Sequence, residues 1–366
     1  RRQLLEVLTV FWDNHFNTDV NKHNVVAYEV AENAAFRARA LGRFRDLLDA
    51  TAKSPAMLLY LDNASSLAGD PNENYARELL ELGTLGVDGG YTQRDVEEVA
   101  RAFTGWTVVN GAFAFDPANH DTGAKLVLGQ TLAAGRGIED GEQVLDILAA
   151  HPSTARFVCT KLSRLLVADR PPAGLLDRCA AEFLARDGDI AAVVRIILRS
   201  PEFADPSHFR AKVRTPFEAA VFWARALGAS GTTSGLHAPI SEMGMRLFEN
   251  PVPTGWSETG DDWINSNLLL QRMKHVNRLV RNQVGGVTID LRTFFARQGQ
   301  VTADGIVGFL LQQLFYGEFS ALEYETAVGV LTEDGTQPFF INQPDAEQRL
   351  QQMVGTVLSY PEAQYQ

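Results

Sequence analysis

The sequence predicts a mainly α-helical globular protein with one small β-hairpin. Apolar residues recur three and four positions apart along most of the chain, which is the spacing of one helix face. One segment, residues 107–132, instead alternates apolar with small or polar residues and contains Asn110-Gly111, a strong hairpin signal. Hydrophobic residues make up 45% of the 366 positions, enough for one large core or two ordinary ones.

The helices can be placed in order along the chain. Helical spacing predicts helices over residues 1–16, 24–52, 55–61, 142–150, 154–167, 174–185 and 189–199, and a helical hairpin over 71–106. After residue 214 the pattern is helical again, with interruptions at 228–235 and 250–255. We therefore expect a helical core domain over 1–228 that carries the motif residues, and a C-terminal helical region over 236–366 that packs on it as part of the same structural unit.

The helical hairpin over 71–106 concentrates ionisable and amide side chains, so it is the first candidate for function. Asn74, Glu78 and Glu81 recur at i, i+4 and i+7 and share one stripe of the first helix. A glycine-rich turn follows, and the second helix opens at Thr92 with Asp95 at the N3 position, as in a capping box.

Charge and missing motifs exclude several classes of protein. The chain has 33 basic and 45 acidic side chains, a formal charge of −12, and no basic patch stands out in the sequence, so we expect no nucleic-acid partner. The apolar runs are too short for a transmembrane segment, and no signal peptide opens the chain. Zinc, EF-hand, P-loop, dinucleotide and GxSxG motifs are missing, so no motif requires a cofactor. A metal site composed of His15, Asp62, His120 and Asp121 is chemically possible, but only the fold could assemble it.

The two cysteines, Cys159 and Cys179, lie at similar distances from the helix break at Pro171-Pro172. In an antiparallel helix pair they would face each other, which suits a disulfide in an exported protein. Two buried free thiols are the alternative.

Ten residues are candidates for a functional site. The catalytic candidates are Glu78, Asp62, Asp121 and His15, and the substrate-binding candidates are Asn14, Asn74, Arg77, Trp106, His120 and Lys125. Paired carboxylates can cleave a glycosidic bond when one is kept neutral as an acid and the other stays ionised. Exposed aromatic rings nearby would stack on sugars. The aromatic candidates are Tyr75, Tyr91, Trp106 and Trp256.

Several of these candidates also have a structural interpretation. His15 lies among aromatic residues and fits a buried structural histidine, Asp62 fits a helix cap, and residues 120–125 fit a solvated loop. Glu73 with Arg77, and Glu78 with Arg77 or Arg101, would form a buried ion-pair network that fixes helix packing.

Five motifs, in order along the chain, carry a resemblance. They are FWDNHF at 11–16, MLLYLDN at 57–63, the run 71–106, HDTGAK at 120–125 and HPSTARFVCTKL at 151–162. With them the chain resembles the bacterial domain-of-unknown-function family 1800. The resemblance implies an exported or envelope protein, often encoded beside a second family related to sulfatases. It also implies a further N-terminal segment in most members, so we expect this chain to be a fragment or a processed form.

The function expected from residues and resemblance together is that of an exported, periplasmic or extracellular hydrolase or lyase. It would use paired carboxylates, in the manner of a glycoside hydrolase, on a polysaccharide or other envelope polymer. The alternative is a non-catalytic binding or assembly protein that works with an exported partner. We further expect His15, Asp62, Arg77, Glu78, His120 and Asp121 to converge in space, because such residues are rarely buried without partners.

Overall fold

The structure, a computed structural model, describes residues 3–23 and 26–366. The first residues of two predicted helices, Arg1 and Arg2 and then Asn24 and Val25, lie outside the described residues. The predicted fold class is confirmed, since 57% of the structure is helical, with seventeen helices and three small two-stranded antiparallel sheets in the described part.

The chain divides into two compact units. The first comprises Arg1–His208 with the later segment Phe248–Glu258, and the second comprises Phe209–Leu247 with Thr259–Gln366. That the C-terminal region packs on the first domain as one structural unit stays a prediction.

The first unit holds ten helices and two hairpins in its described residues. The helices are α1 Gln3–His15, α2 Val26–Arg39, α3 Phe44–Ala52, α4 Pro55–Tyr60, α5 Glu73–Glu78, α6 Gln93–Ala102, α7 Glu139–Ala149, α8 Pro152–Leu166, α9 Ala173–Ala185 and α10 Ile190–Leu198. Local chemistry explains several starts: Ser54 caps α4 ahead of Pro55, and Thr92 and Asp95 form the predicted capping box of α6.

The helix predicted over 24–52 is in fact two helices. Helix α2 ends at Arg39, and the amide of Gly42 donates to the Arg39 carbonyl at 2.7 Å, closing a turn from which α3 starts at Phe44. Glycine weakens a helix interior, so a break at this position has a local cause. Trp12, Phe36 and Phe44 from the three helices, with Phe16 directly after α1, then pack in one buried core.

The single hairpin predicted over 107–132 is two hairpins. Strands β1 Trp106–Val109 and β2 Ala112–Phe115 turn at Asn110-Gly111, as predicted, and strands β3 Lys125–Val127 and β4 Gln130–Leu132 turn at Leu128-Gly129. All four turn residues have positive φ, as the tight turn between two strands requires. Leucine is an unusual residue for this conformation, which is why the sequence did not signal the second turn.

The two cysteines face each other across the pair α8 and α9, as predicted. Both are free thiols in the structure and both are buried. A hydrogen bond with Cys179, together with burial, raises the pKa of the Cys159 thiol. The predicted facing is confirmed, while the disulfide is not formed here.

We expect oxidation to close this pair into a disulfide and to stabilise the protein by about 3 kcal/mol, because the bond would cross-link a loop of about twenty residues in the unfolded chain. Thiol titration of the denatured, unreduced protein and melting curves with and without reductant measure both effects. A Cys179→Ser variant should show no redox response. Two titratable thiols after oxidation of the wild type would contradict the prediction.

The second unit is built on seven helices and one short pair of strands in its described residues. The helices are α11 Pro216–Ala226, α12 His237–Glu242, α13 Ser266–Val280, α14 Leu291–Arg297, α15 Ala303–Phe315, α16 Ala321–Thr332 and α17 Ala346–Val357, and the strands are β5 Ser230–Gly231 and β6 Val287–Thr288. Helix α13 buries Arg272, His275, Val276 and Leu279 along one face, which leaves the opposite face to solvent.

Candidate functional site

A narrow cavity lies in the first unit at the C-terminal end of α1. It is lined by His15, Phe16, Asn17, Thr51, Met57, Leu61, Tyr75, Glu78, Leu79, Leu82, Gly83 and Pro253. Its volume of about 30 Å³ has room for one or two water molecules. The cavity brings together two predicted catalytic residues, His15 and Glu78, from segments more than sixty positions apart.

His15 is a neutral base within this cavity wall. It is only 3% exposed, and its Nε2 lies 3.1 Å from the Gly83 carbonyl oxygen. Since a carbonyl only accepts, Nε2 carries the proton and Nδ1 keeps its lone pair. Burial and the nearby Lys161 hold the pKa of His15 well below its ordinary value. The Nδ1 atom is buried and has no hydrogen-bond partner among the described residues, so it is an unused acceptor in the cavity wall.

Glu78 ends helix α5 and is half-buried. Within the described part of the chain its carboxylate has no hydrogen bond or ion pair. Burial and the neighbouring Glu81 raise the pKa of Glu78, and Arg77 opposes them. A carboxyl group with these neighbours holds its proton to higher pH than a free glutamate, as a general acid must.

The predicted ion pairs of this helix are partly right. Arg77 binds Glu73 at 2.9 Å, as predicted, and also donates to Gln93 at 3.0 Å. The side chains of Arg77 and Glu73 are 40% and 39% exposed, so the predicted burial of this pair is wrong. The predicted pairing of Glu78 with Arg77 or Arg101 is wrong. Adjacent helical residues point about 100° apart, so Arg77 reaches its partner one turn back and turns away from Glu78.

A π-helical segment, Leu79–Thr84, begins directly after Glu78. The Leu85 amide donates to Leu80 at 2.8 Å, five residues back, and the Thr84 hydroxyl donates to Leu79 at 2.7 Å. This wider turn contains the Gly83 carbonyl that His15 contacts. Single π turns within helices are rare and recur at functional sites. Helical periodicity in the sequence did not reveal it.

Two tyrosines complete the polar surroundings. Tyr75 is 2% exposed, its hydroxyl has no partner among the described residues, and burial raises its pKa. The hydroxyl of Tyr91 donates to Glu81 Oε2 at 3.2 Å. Glu81, which raises the pKa of Glu78, is therefore held by Tyr91, and it does not itself line the cavity.

His120, Asp121 and Lys125 form a second, separate cluster. Asp121 accepts two hydrogen bonds from Arg101, at 2.8 and 3.0 Å, which hold its pKa below the usual range. The fully buried Lys125 lies 2.7 Å from Asp140 Oδ2, and His120 Nε2 lies 3.4 Å from the same oxygen.

Asp140 is the centre of this cluster, and sequence reasoning missed it. Its other oxygen lies 3.1 Å from Arg136 Nε, so two cations and a histidine surround one buried carboxylate. The solvated loop considered for residues 120–125 is therefore wrong for His120 and Lys125, which are both buried. The only local sign of Asp140 was its i+4 spacing from Arg136.

The remaining candidates have structural contacts. Asp62 adopts a left-handed φ of 59°, makes no cap hydrogen bond and binds Lys22 at 2.9 Å, so the predicted cap is wrong. Asn14 exchanges two hydrogen bonds with the backbone of Trp256, at 2.9 and 2.7 Å. The Asn74 amide donates to Leu61 at 3.4 Å, and Trp106 is completely buried, with no face open to a sugar.

The six residues expected to converge are thus divided among separate sets of contacts. His15 and Glu78 share the cavity, Asp62 pairs with Lys22, Arg77 with Glu73, and His120 and Asp121 belong to the second cluster. The composite metal site is not assembled, and no group of three potential metal ligands occurs in the described part of the chain.

None of the helices within residues 3–23 and 26–366 combines the length and the apolar character needed to cross a bilayer.

Comparison with known proteins gives one result. No curated protein and no solved structure matches the chain. The model of a family described as a protein of unknown function, DUF1800, matches residues 1–365. The motifs of the sequence and this match over nearly every residue lead to one conclusion: the chain belongs to the DUF1800 family.

Proposed function

We propose that this protein is an exported or envelope-associated hydrolase or lyase that acts on a polysaccharide or other envelope polymer by acid–base chemistry at the His15 and Glu78 cavity. The observation that carries the proposal is an unpartnered, half-buried carboxyl group with a raised pKa that shares a cavity with a neutral histidine. The exported location rests on the family resemblance.

The roles follow from the protonation of each group. Glu78 donates the proton to a leaving oxygen, because burial and Glu81 favour its neutral form. His15 Nδ1 accepts a hydrogen bond from the attacking water and positions it, because its low pKa disfavours taking up a full proton. The proton of that water passes to the Glu78 carboxylate that the first transfer leaves behind. The cavity holds only small groups, so the bulk of a polymer must lie outside it. Tyr91 and Trp256, both partly exposed, remain as rings on which a sugar could stack.

The competing function is a non-catalytic binding or assembly protein. It is favoured by the carboxylates of Asp62 and Asp121, which are already engaged by Lys22 and Arg101. Those two residues, with His120 and Lys125, support the fold in either case. Only Glu78 and its neighbours distinguish the two functions.

The test is activity screening of the purified protein against bacterial and plant polysaccharides, with Glu78→Gln beside the wild type. We expect this variant to lose roughly 100-fold or more of the activity, because glutamine keeps the shape and cannot donate an acidic proton. Its melting temperature should stay the same or rise, because the substitution removes a partly desolvated charge and breaks no ion pair.

The matched control is Glu97→Gln, which removes an exposed carboxylate from the second helix of the same hairpin and should retain full activity. Equal activity in the two variants, or binding of a polymer without turnover by the wild type, would favour the assembly function instead.

A further inference from the structure

A groove in the second unit collects the cationic side chains of one helix face. It has a volume of about 300 Å³ and is lined by Glu242, Lys274, Asn277, Arg278, Arg281 and Gln283. Lys274 and Arg278 lie on the side of α13 opposite its buried residues, and Arg281 caps the C-terminal end of the helix. The three follow i, i+4 and i+7 spacing and so form a row. The sequence, judged by overall charge, indicated no such patch.

The charges of this row are not balanced. Arg278 binds Glu242 at 2.9 Å, while Lys274 and Arg281 are exposed and have no ion pair within the described ranges. Like charges one turn apart repel each other along a helix. The groove has three cations and one carboxylate, so it is locally positive although the chain as a whole has a formal charge of −12.

The donors of the groove indicate the chemistry of a ligand. Arginine offers a planar fork of N–H groups and lysine a point charge, and both suit oxyanions. Gln283 adds amide N–H donors at the same groove, whereas the Asn277 amide already donates to the Met273 carbonyl at 2.9 Å. Two guanidinium groups, an ammonium group and an amide offer more N–H donors than the two oxygens of a carboxylate need, so a tetrahedral oxyanion with three free oxygens suits the groove better.

We propose that this groove binds a phosphate or sulfate ester group carried on a larger anionic molecule. Lys274 and Arg281 supply the uncompensated charge, Arg278 supplies further donors, and Glu242 holds Arg278 while weakening the attraction for anions. The groove is open, so the rest of the molecule extends into solvent. The site uses neither His15 nor Glu78, and its test is independent of the proposed hydrolase.

The experiment is calorimetric titration of the full chain at low ionic strength with inorganic phosphate, inorganic sulfate and acetate, and with dextran sulfate and neutral dextran. We expect phosphate or sulfate to bind and acetate not to bind, and dextran sulfate to bind where dextran does not. The anion that binds more tightly, phosphate or sulfate, indicates whether the groove prefers a phosphate or a sulfate ester. Added salt should weaken all binding.

Variants locate the binding. Lys274→Gln with Arg281→Gln should weaken binding by at least about tenfold, because both unpaired cations are lost. The matched control, Arg225→Gln with Arg297→Gln, removes two exposed cations from other helices of the same unit and should bind as the wild type does. Glu242→Gln should tighten binding by about threefold, because it removes the competing carboxylate.

Three results would overturn the proposal. They are no binding of phosphate, sulfate or dextran sulfate, equal weakening by the two double variants, and binding of acetate as strong as that of phosphate and sulfate. Circular dichroism of each variant checks that the fold is retained, and the gain expected from Glu242→Gln cannot arise from misfolding.

Discussion

Replacing Asp140 by Asn is expected to lower the free energy of unfolding by about 3 to 5 kcal/mol, the usual cost of removing one partner from a buried ion pair. Lys125 is completely buried and lies 2.7 Å from Asp140, while Arg136 lies 3.1 Å from the other carboxylate oxygen. The amide cannot neutralise the buried ammonium group. Urea unfolding of the wild type and the variant measures the difference.

Two further variants make this result specific. Glu139→Gln removes the charge of an exposed carboxylate next in sequence but keeps an oxygen that can accept from the Gly137 amide, so it should change the melting temperature little. Lys125→Met combined with Asp140→Asn should recover part of the lost stability, because no uncompensated buried ammonium then remains. If Asp140→Asn costs no more than Glu139→Gln, the cluster does not stabilise the fold.

Asp13 is expected to make the protein less stable as the pH rises. Burial, with the nearby Glu29, raises the pKa of Asp13 from 3.8 to about 7, although Asn33 and Arg37 favour its ionised form. A folded-state pKa above the unfolded value gives stability that is complete below about pH 4 and is lost as the pH rises through about 7. The contribution is on the order of 4 kcal/mol at most.

The variant Asp13→Asn tests this sign. Asparagine resembles the protonated acid and can still accept the hydrogen bond that Asn33 donates at 3.0 Å. Its unfolding free energy should match that of the wild type near about pH 4 and exceed it by a few kcal/mol near about pH 8. A constant difference across this range would show that Asp13 does not titrate with a raised pKa.

Structural features that depend on residues close together in the sequence were predicted correctly. The capping box of Thr92 and Asp95 depends on a spacing of three, and the Glu73–Arg77 pair on a spacing of four, so both can be recognised in a string of residues. Helical periodicity likewise gave the fold class. The two cysteines face each other because a helical hairpin places residues that are equally far from its turn side by side.

Features set by tertiary contacts were not predicted. The ionisable side chains of HDTGAK suggested an exposed loop, and only the burial of Asp140 shows that Lys125 is part of the core. The π turn after Glu78 has no periodicity of its own, because a single wide turn is too short to register as a pattern. The spacing of Lys274, Arg278 and Arg281 is visible in the sequence, but the formal charge of −12 led us to expect no basic patch.

The discontinuous course of the first unit has a consequence for biosynthesis. Segment Phe248–Glu258 supplies Pro253 to the cavity wall and the backbone partners of Asn14 and Asn17, yet it is made after residues 209–247, which belong to the other unit. At ordinary translation speeds, the fifty residues from 209 to 258 take roughly 3 to 10 s to synthesise. Until that segment has been made, the cavity that contains His15 and Glu78 lacks the wall that Pro253 provides, so the site cannot be complete before residue 258 is added.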